Sequence, residues 1–261
     1  VDLDELLSLA EHSARSAGEL LMERFRGPAR GVDTKSTPTD LVSDADRDSE
    51  ALLRSVIEER RPGDGILGEE GSAVRSRSGV VWVLDPLDAT VNFLFGIPWW
   101  AVSVACRDED GILVGAVFNP NNDEMFTARR GGHAYLNGRQ IRVSTCDDLS
   151  EALIATGFAY DRRAREVQGA LVARVLPRVR DVRRMGSAAL DLCSLACGRV
   201  DGFYEGNLEE WDKAAGSLLV AEAGGVLSEI EPPLDHLSSG LVATNEALHS
   251  DLRGLVADGH R

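Results

Sequence analysis

The sequence is poor in the residues from which soft-metal cages and nucleophilic triads are built. Its four cysteines, Cys106, Cys146, Cys193 and Cys197, include no C-x-x-C pair. The i,i+4 pair Cys193/Cys197 has no third ligand nearby, so both are read as small core residues rather than a metal site. Its five histidines, His12, His133, His236, His249 and His260, are scattered with no H-x-x-x-H, which removes support for a histidine zinc site or a Ser-His-Asp triad. No apolar run approaches the roughly 18 residues of a membrane span. The opening VDLDELLSLAEH has neither a basic stretch nor a signal-peptide core, so the expected location is the cytoplasm, with no membrane partner. Positive charge is also short: 28 bases against 43 acids give a net −15. Such a balance argues against a nucleic-acid partner and suits a cation site. The basic stretch RVLPRVRDVRR, residues 174–184, is read as a helix end plus a loop with a solvated face.

What is present is a long, ordinary globular pattern, 43% hydrophobic over 261 residues, enough for one large core or two small ones. Leu3, Leu6, Leu7, Ala10, Ala14, Ala17, Leu21 and Phe25 form one helical stripe over 3–26. A proline loop, KSTPTDLVS, leads to a second helix from Asp44 to Arg60, ended by Pro62-Gly63. From 80 to 143 the segments WAVSVACR, ILVGAVFN, EMFTARR and AYLNGRQIRV, with turn residues between them, predict an antiparallel meander. After about 145 strands alternate with helices (163–176, 187–197, 212–223 and a last one), which predicts layered α/β packing. We expect two intimately packed halves, 1–145 and 146–261, the first holding most acids of interest and the second adding Asp212.

Acids stand at the ends of these elements. In WVLDPLDATVNF, residues 82–93, a hydrophobic run stops at Asp85, and Asp88 follows three residues later. Taken alone, D-P-x-D reads equally as a turn, with Asp88 capping a helix, and as a site. Glu69-Glu70 end a short strand in GILGEEG, residues 65–71; Asp44 and Asp46 open a helix in LVSDADRD; Asp212 precedes a small-residue helix start in EGNLEEWDKAAG. Caps worth about 0.3–1 kcal/mol each would explain Asp46 and Asp212 singly. Together, with no matching histidines, the acids point to a hard divalent cation, because converging carboxylates repel one another unless a cation intervenes. Asp85 and Asp88 would then end the strand in order to bridge metals that activate water toward a phosphoryl group.

These residues resemble the signatures of the inositol monophosphatase family. WVLDPLDATVNF is similar to its D-P-x-D-G-T-x-N-F motif and EWDKAAGSLLVAEAGG to its W-D-x-A-A-G…E-A-G-G motif. GILGEEG matches its G-E-E loop and TKSTPTDLVSDAD its N-terminal element, in the family's order over residues 3–255. The resemblance is strongest to the actinobacterial inositol-1-phosphatase branch. It implies an α/β, layered α-β-α-β-α sandwich of the type shared with fructose-1,6-bisphosphatase, a homodimer, two or three Mg²⁺ ions, lithium sensitivity and hydrolysis of a small-molecule phosphate monoester. Carried over by motif, Glu69, Asp85 and the carbonyl of Leu87 hold one metal and Asp85, Asp88 and Asp212 a second, with Glu69 also serving a weaker third. Thr90 with Asp46 positions and deprotonates the attacking water, and Glu70 stands behind the ligands. The amides of Ala89 and Thr90 face the phosphate, while Ala188 and Glu205 contact the alcohol.

One residue departs from the motif: Ala89 stands where the family has glycine. If that position needs a positive φ, alanine strains it by about 1–2 kcal/mol. Because the motif is otherwise intact, the expectation is a negative φ and a slightly crowded phosphate pocket. The leading function is inositol-1-phosphate hydrolysis. The alternatives are histidinol-phosphate phosphatase, fructose-1,6-bisphosphatase or 3′-phosphonucleotide phosphatase, and, in a different class, a non-enzymatic partner in a transcription complex.

Overall fold

The computed structural model describes residues 2–27, 31–35, 37, 41–230, 237 and 240–257. Part of the expected proline loop (Ser36 and residues 38–40), together with His236 and His260, lies outside them. Helix α1 (Leu3–Arg24) starts on Asp2, whose carboxylate accepts from the amides of Asp4 and Glu5, and buries the predicted stripe. A short pair, β1 (Asp33–Thr34) and β2 (Leu41–Val42), precedes α2 (Asp44–Arg60); it falls in the segment expected to be loop. Ser43 caps α2 in a reciprocal box with Asp46, the arrangement that satisfies two orphan helix-start donors at once.

The first sheet follows, in the order β3 (Gly65–Gly68), β4 (Val81–Asp88), β5 (Ala101–Asp108), β6 (Gly111–Asn119), β7 (Glu124–Arg129), β8 (Ala134–Leu136), β9 (Arg139–Gln140). A short helix α3 (Thr90–Leu94) links β4 to β5. All neighbours after β4 are antiparallel, the expected meander, whereas β3 pairs with β4 in parallel. The parallel pairing has a consequence for the site: two strands running the same way deliver Glu69 and Asp85 to the same edge of the sheet.

The second half alternates as predicted: β10 (Leu153–Thr156), α4 (Arg162–Val175), β11 (Asp181–Arg183), α5 (Ala188–Ala196), β12 (Gly202–Gly206), α6 (Glu210–Glu222), β13 (Val226–Glu229), β14 (Gly240–Thr244) and α7 (Glu246–Ala257). Its five strands form a mixed sheet ordered β11-β10-β12-β14-β13. Helices α1 and α2 cover one face of the first sheet, α5 and α6 fill the space between the two sheets, and α4 and α7 cover the far face of the second. The sequence is thus the five-layered α-β-α-β-α sandwich that the motifs imply. The middle layer is one continuous core: Val83, Ala105 and Val117 from the first sheet meet Leu192 and Leu219 from the helices and Phe203 from the second sheet. Small residues allow this closeness. A Cβ at Gly115 would lie 2.9 Å from the backbone of Ala215, so β6 and α6 approach where no side chain intervenes. Cys193 is fully buried in α5 and unpaired, and Cys197 ends that helix, consistent with small core residues. No helix among the described residues is long and apolar enough to cross a membrane.

Candidate active site

Strand β4 does not stop at Asp85; it runs through to Asp88, with its pairing to β5 slipping between those two residues. A bulge of this kind re-aims side chains at a sheet end, and Pro86 fits it because no ladder donor is needed there. The amide of Leu87 closes the turn onto Asp85 Oδ1 at 3.1 Å. Asp85 is only 2% exposed. The chain then reverses into α3 through Ala89, which has φ 74° and ψ 49°. This corrects the expected negative φ. Asp88 is held by the start of α5, through the Ser187 hydroxyl and the Ala189 amide (2.9 Å), while Thr90 is held by α2. The one residue between them must take the left-handed conformation to satisfy both. The methyl group is accommodated at a backbone cost, and the neighbouring Ala89 amide helps to hold the Asp88 carboxyl down.

The other predicted acids arrive from three directions. Asp46, buried in the first turn of α2, accepts from the backbone and hydroxyl of Ser43 on Oδ2 (2.8 and 2.7 Å) and from Thr90 Oγ1 on Oδ1 at 2.7 Å. The Thr90 hydroxyl also reaches the carbonyl of Leu87 at 3.1 Å. Glu69 leaves the end of β3, its amide on the Leu84 carbonyl at 3.3 Å. Asp212 sits in the first turn of α6, its Oδ2 accepting from the Glu209 amide at 2.7 Å. The local cap readings of Asp46 and Asp212 are therefore correct, and both residues also face the same acidic centre.

The electrostatics show how close these groups are. Burial pushes the Asp85 carboxyl well above the usual range, and Glu69, Asp88 and Asp212 add to the shift. Glu69 and Asp85 lie close enough for the charge of each to act on the other. Asp212 is likewise raised, by burial first and then by Asp88 and Glu69. Asp88 reaches only about 6, because Ser187 and the amides of Ala188, Ala189 and Ala89 offset its burial. Against this, among the described residues, stands the Lys35 ammonium, 2.7 Å from Glu69 Oε1 and also paired with Glu70. The same ammonium lowers what burial raises at both glutamates. Lys35 carried no assignment in the sequence, although it lies inside the N-terminal motif.

A cavity of about 420 Å³ opens beside this centre, lined by Glu69, Asp88 and Asp212 and by Ala188, Glu205 and Arg184. Glu205 lies next to last in β12 and packs so closely on Gly157 that a Cβ there would fall 2.1 Å from its Oε1. Burial pushes its carboxyl up to about 8, partly offset by Arg184. Arg184 belongs to the basic stretch read as a solvated face. It is exposed, but it lines this cavity, with its guanidinium 5.6 Å from the Phe158 ring centre. No local signal separates it from its arginine neighbours.

The donor set fits a hard cation. It consists of carboxylate oxygens, with no histidine or thiol, in a centre where burial and neighbouring negative charge hold Asp85 and Asp212 above the usual carboxyl range. Among the described residues no three acidic, histidine or cysteine side chains are arranged to hold a metal ion as they stand. The present contacts account for that, because Lys35 occupies Glu69 and Glu70 while Ser187 and Ala189 occupy Asp88 Oδ2. An open arrangement suits Mg²⁺, which keeps several waters and binds through one or two carboxylates plus substrate phosphate.

The inositol monophosphatase family model matches residues 2–259. The chain belongs to the inositol monophosphatase family. A Mycobacterium tuberculosis protein named inositol-1-monophosphatase SuhB is 48% identical over 237 residues, spanning 84% of this chain and 82% of that one. A Vibrio cholerae relative named Nus factor SuhB is 36% identical, spanning 92% and 91%. The crystal structure of the extragenic suppressor protein suhB from Bartonella henselae superposes with a TM-score of 0.91 at 37% identity, covering 98% of this chain and 99% of that chain. This inositol monophosphatase family member is a phosphoric monoester hydrolase of a generally metal-dependent family.

Proposed function

We propose that the protein hydrolyses inositol 1-phosphate, with Mg²⁺ held by Glu69, Asp85, the Leu87 carbonyl, Asp88 and Asp212. The observation that carries this is the buried Thr90–Asp46 pair, 2.7 Å apart, with Asp46 close enough to raise Glu69. A threonine hydroxyl whose proton is given to a fixed carboxylate has its lone pairs free to accept from water. Thr90 Oγ1 therefore orients the attacking water and takes its proton as its own passes to Asp46 Oδ1. Asp46 Oδ2, tied to Ser43, keeps the carboxylate from rotating. Bound Mg²⁺ neutralises phosphoryl charge and acidifies water. Lys35 must release Glu69 for that, and a phosphate entering the cavity offers the ammonium a new partner.

Glu205 and Arg184 favour a polyol. A carboxyl raised toward neutrality both accepts from and donates to ring hydroxyls, and a guanidinium beside it opposes an ammonium such as that of histidinol phosphate. The homodimer expected from the motifs remains part of the proposal; Phe95, 73% exposed, and Ile97 supply apolar surface beyond α3. A transcription-complex role has the name of one relative in its favour, while the retained acids and Thr90 favour chemistry. Phosphate release from inositol 1-phosphate, histidinol phosphate, fructose 1,6-bisphosphate and a 3′-phosphonucleotide, in one Mg²⁺ buffer and again with EDTA, tests the proposal. Fastest release from inositol 1-phosphate, abolished by EDTA, supports it; no release from any of the four would overturn it.

A further inference from the structure

We infer that Glu50, a residue outside every motif above, is a positioning residue that sets the Glu69-Glu70 loop through the backbone of Glu70. The inference rests on the assignment of Glu69 to a cation. Helix α2 presents three side chains in succession to the loops at the sheet edge. Asp46 holds the Thr90 hydroxyl; Ser49 Oγ donates to the Pro86 carbonyl at 2.7 Å; Glu50 Oε2 accepts from the Glu70 amide at 2.7 Å. Residues three and four apart share a helix face, so one rigid element fixes the water-orienting pair, the β4 bulge and the glutamate loop relative to one another.

The loop is moulded around this carboxylate. A Cβ at Gly68 would lie 2.6 Å from the Glu50 carboxyl carbon, and one at Gly71 would lie 2.5 Å from Oε1. The glycines on either side of Glu69-Glu70 therefore leave the space that Glu50 fills. Glu50 is not placed as a ligand itself. Its side chain is 3% exposed, Oε2 is committed to the Glu70 amide, and Oε1 to Arg54 Nε at 2.7 Å. Arg54, one turn on, supplies the charge that allows a further carboxylate beside an already acidic centre. With the Glu69 amide on β4 and the Glu70 amide on α2, successive peptides are pinned to different elements, which fixes the direction in which the Glu69 side chain leaves the backbone. Groups that orient ligands in this way change metal affinity by about 10- to 100-fold when removed.

The test compares wild type with Glu50→Ala and Glu50→Gln by direct Mn²⁺ binding without substrate, by thermal melting in EDTA and by turnover across a Mg²⁺ titration. Glu50→Ala should weaken Mn²⁺ binding and raise half-saturating Mg²⁺ by about 10- to 100-fold, with most of kcat returning at high Mg²⁺. Glu50→Gln keeps an acceptor for the Glu70 amide and should lose less. A purely structural glutamate predicts a lower melting temperature with unchanged Mn²⁺ affinity, and that result would overturn the inference. If Glu50→Ala does not fold, Glu50→Asp decides: it keeps the charge but withdraws the carboxylate, so weaker Mn²⁺ binding supports the role and wild-type binding refutes it. A wild-type protein that neither binds Mn²⁺ nor responds to Mg²⁺ would remove the cation assignment of Glu69 as well, whereas a responsive wild type with indifferent variants removes Glu50 alone.

Discussion

Replacing Ala89 by glycine should make the protein more stable, although such a change usually does the reverse. Ala89 has φ 74° and ψ 49°, the left-handed region that costs an L-residue with a Cβ about 1–2 kcal/mol. Glycine removes that cost but adds backbone freedom to the unfolded chain, worth roughly 0.4–1 kcal/mol. The difference leaves a net gain of up to about 1.5 kcal/mol, centred near 1. At about 2.1 cal/mol/K of unfolding entropy per residue, a chain of 261 residues converts about 1 kcal/mol into a rise of roughly 2 °C. Differential scanning calorimetry in EDTA reads this directly, and urea titration gives the free energy independently. Ala89→Val supplies the opposite sign, since a β-branched residue tolerates positive φ less well than alanine. Because Ala89 also lines the cavity, the glycine variant should keep turnover within a few-fold of wild type. A glycine variant that melts clearly below wild type, or a valine variant equal to it, would show that the turn at 89 is not strained and that the reasoning from φ is wrong.

Thr90→Ala removes the hydroxyl that bridges water and Asp46 and should lower kcat by about 10²–10⁴-fold, with little change in KM; wild-type turnover would exclude Thr90 from proton transfer. Mg²⁺ at about 100 times its dissociation constant should stabilise the fold by roughly 2.7 kcal/mol, and a melting temperature that ignores millimolar Mg²⁺ would count against a convergent acid site. Glu205 predicts a pH effect. Its folded carboxyl is raised from 4.5 to about 8 by burial, so the folded state keeps a proton that the unfolded chain releases. Its stabilising contribution is therefore full below about pH 4.5 and is lost as pH rises through 8. Glu205→Gln should flatten that part of the stability–pH curve measured in EDTA, and parallel curves for the two proteins would contradict the burial argument.

Much of the fold was legible because its signals are short-range. The stripe of α1, the Asp44–Arg60 helix, the meander and the alternating second half each follow from periods and turn residues within a dozen positions. The pairing of β3 with β4 in parallel did not follow, since nothing in GILG or VVWVL states a direction. The candidate acids were legible for a related reason: each stands where an apolar run or a helix begins or ends, and carboxylates there lack the apolar context of a core residue. Strand β4 outruns the expected end at Asp85 by three residues, because a proline-containing bulge looks, in sequence, like a terminus.

What the amino-acid order offered by itself was a set of candidate acids: Asp85 and Asp88 three apart around a proline, Glu69-Glu70 between glycines, Asp46 opening a helix and Asp212 before another, with Thr90 added only by the family motif. What only the tertiary structure decided was their partners. Lys35 meets Glu69 across 34 residues, Thr90 meets Asp46 across 44, and Ser187 meets Asp88 across 99. Arg184 and Glu50 acquire their places only when the second half closes on the first and α2 packs along β4. The left-handed turn at Ala89 belongs here too. Its conformation is imposed by two anchors from distant helices, and a backbone angle set by such closure is a property of the assembled layers, invisible to the neighbours of residue 89 in the chain.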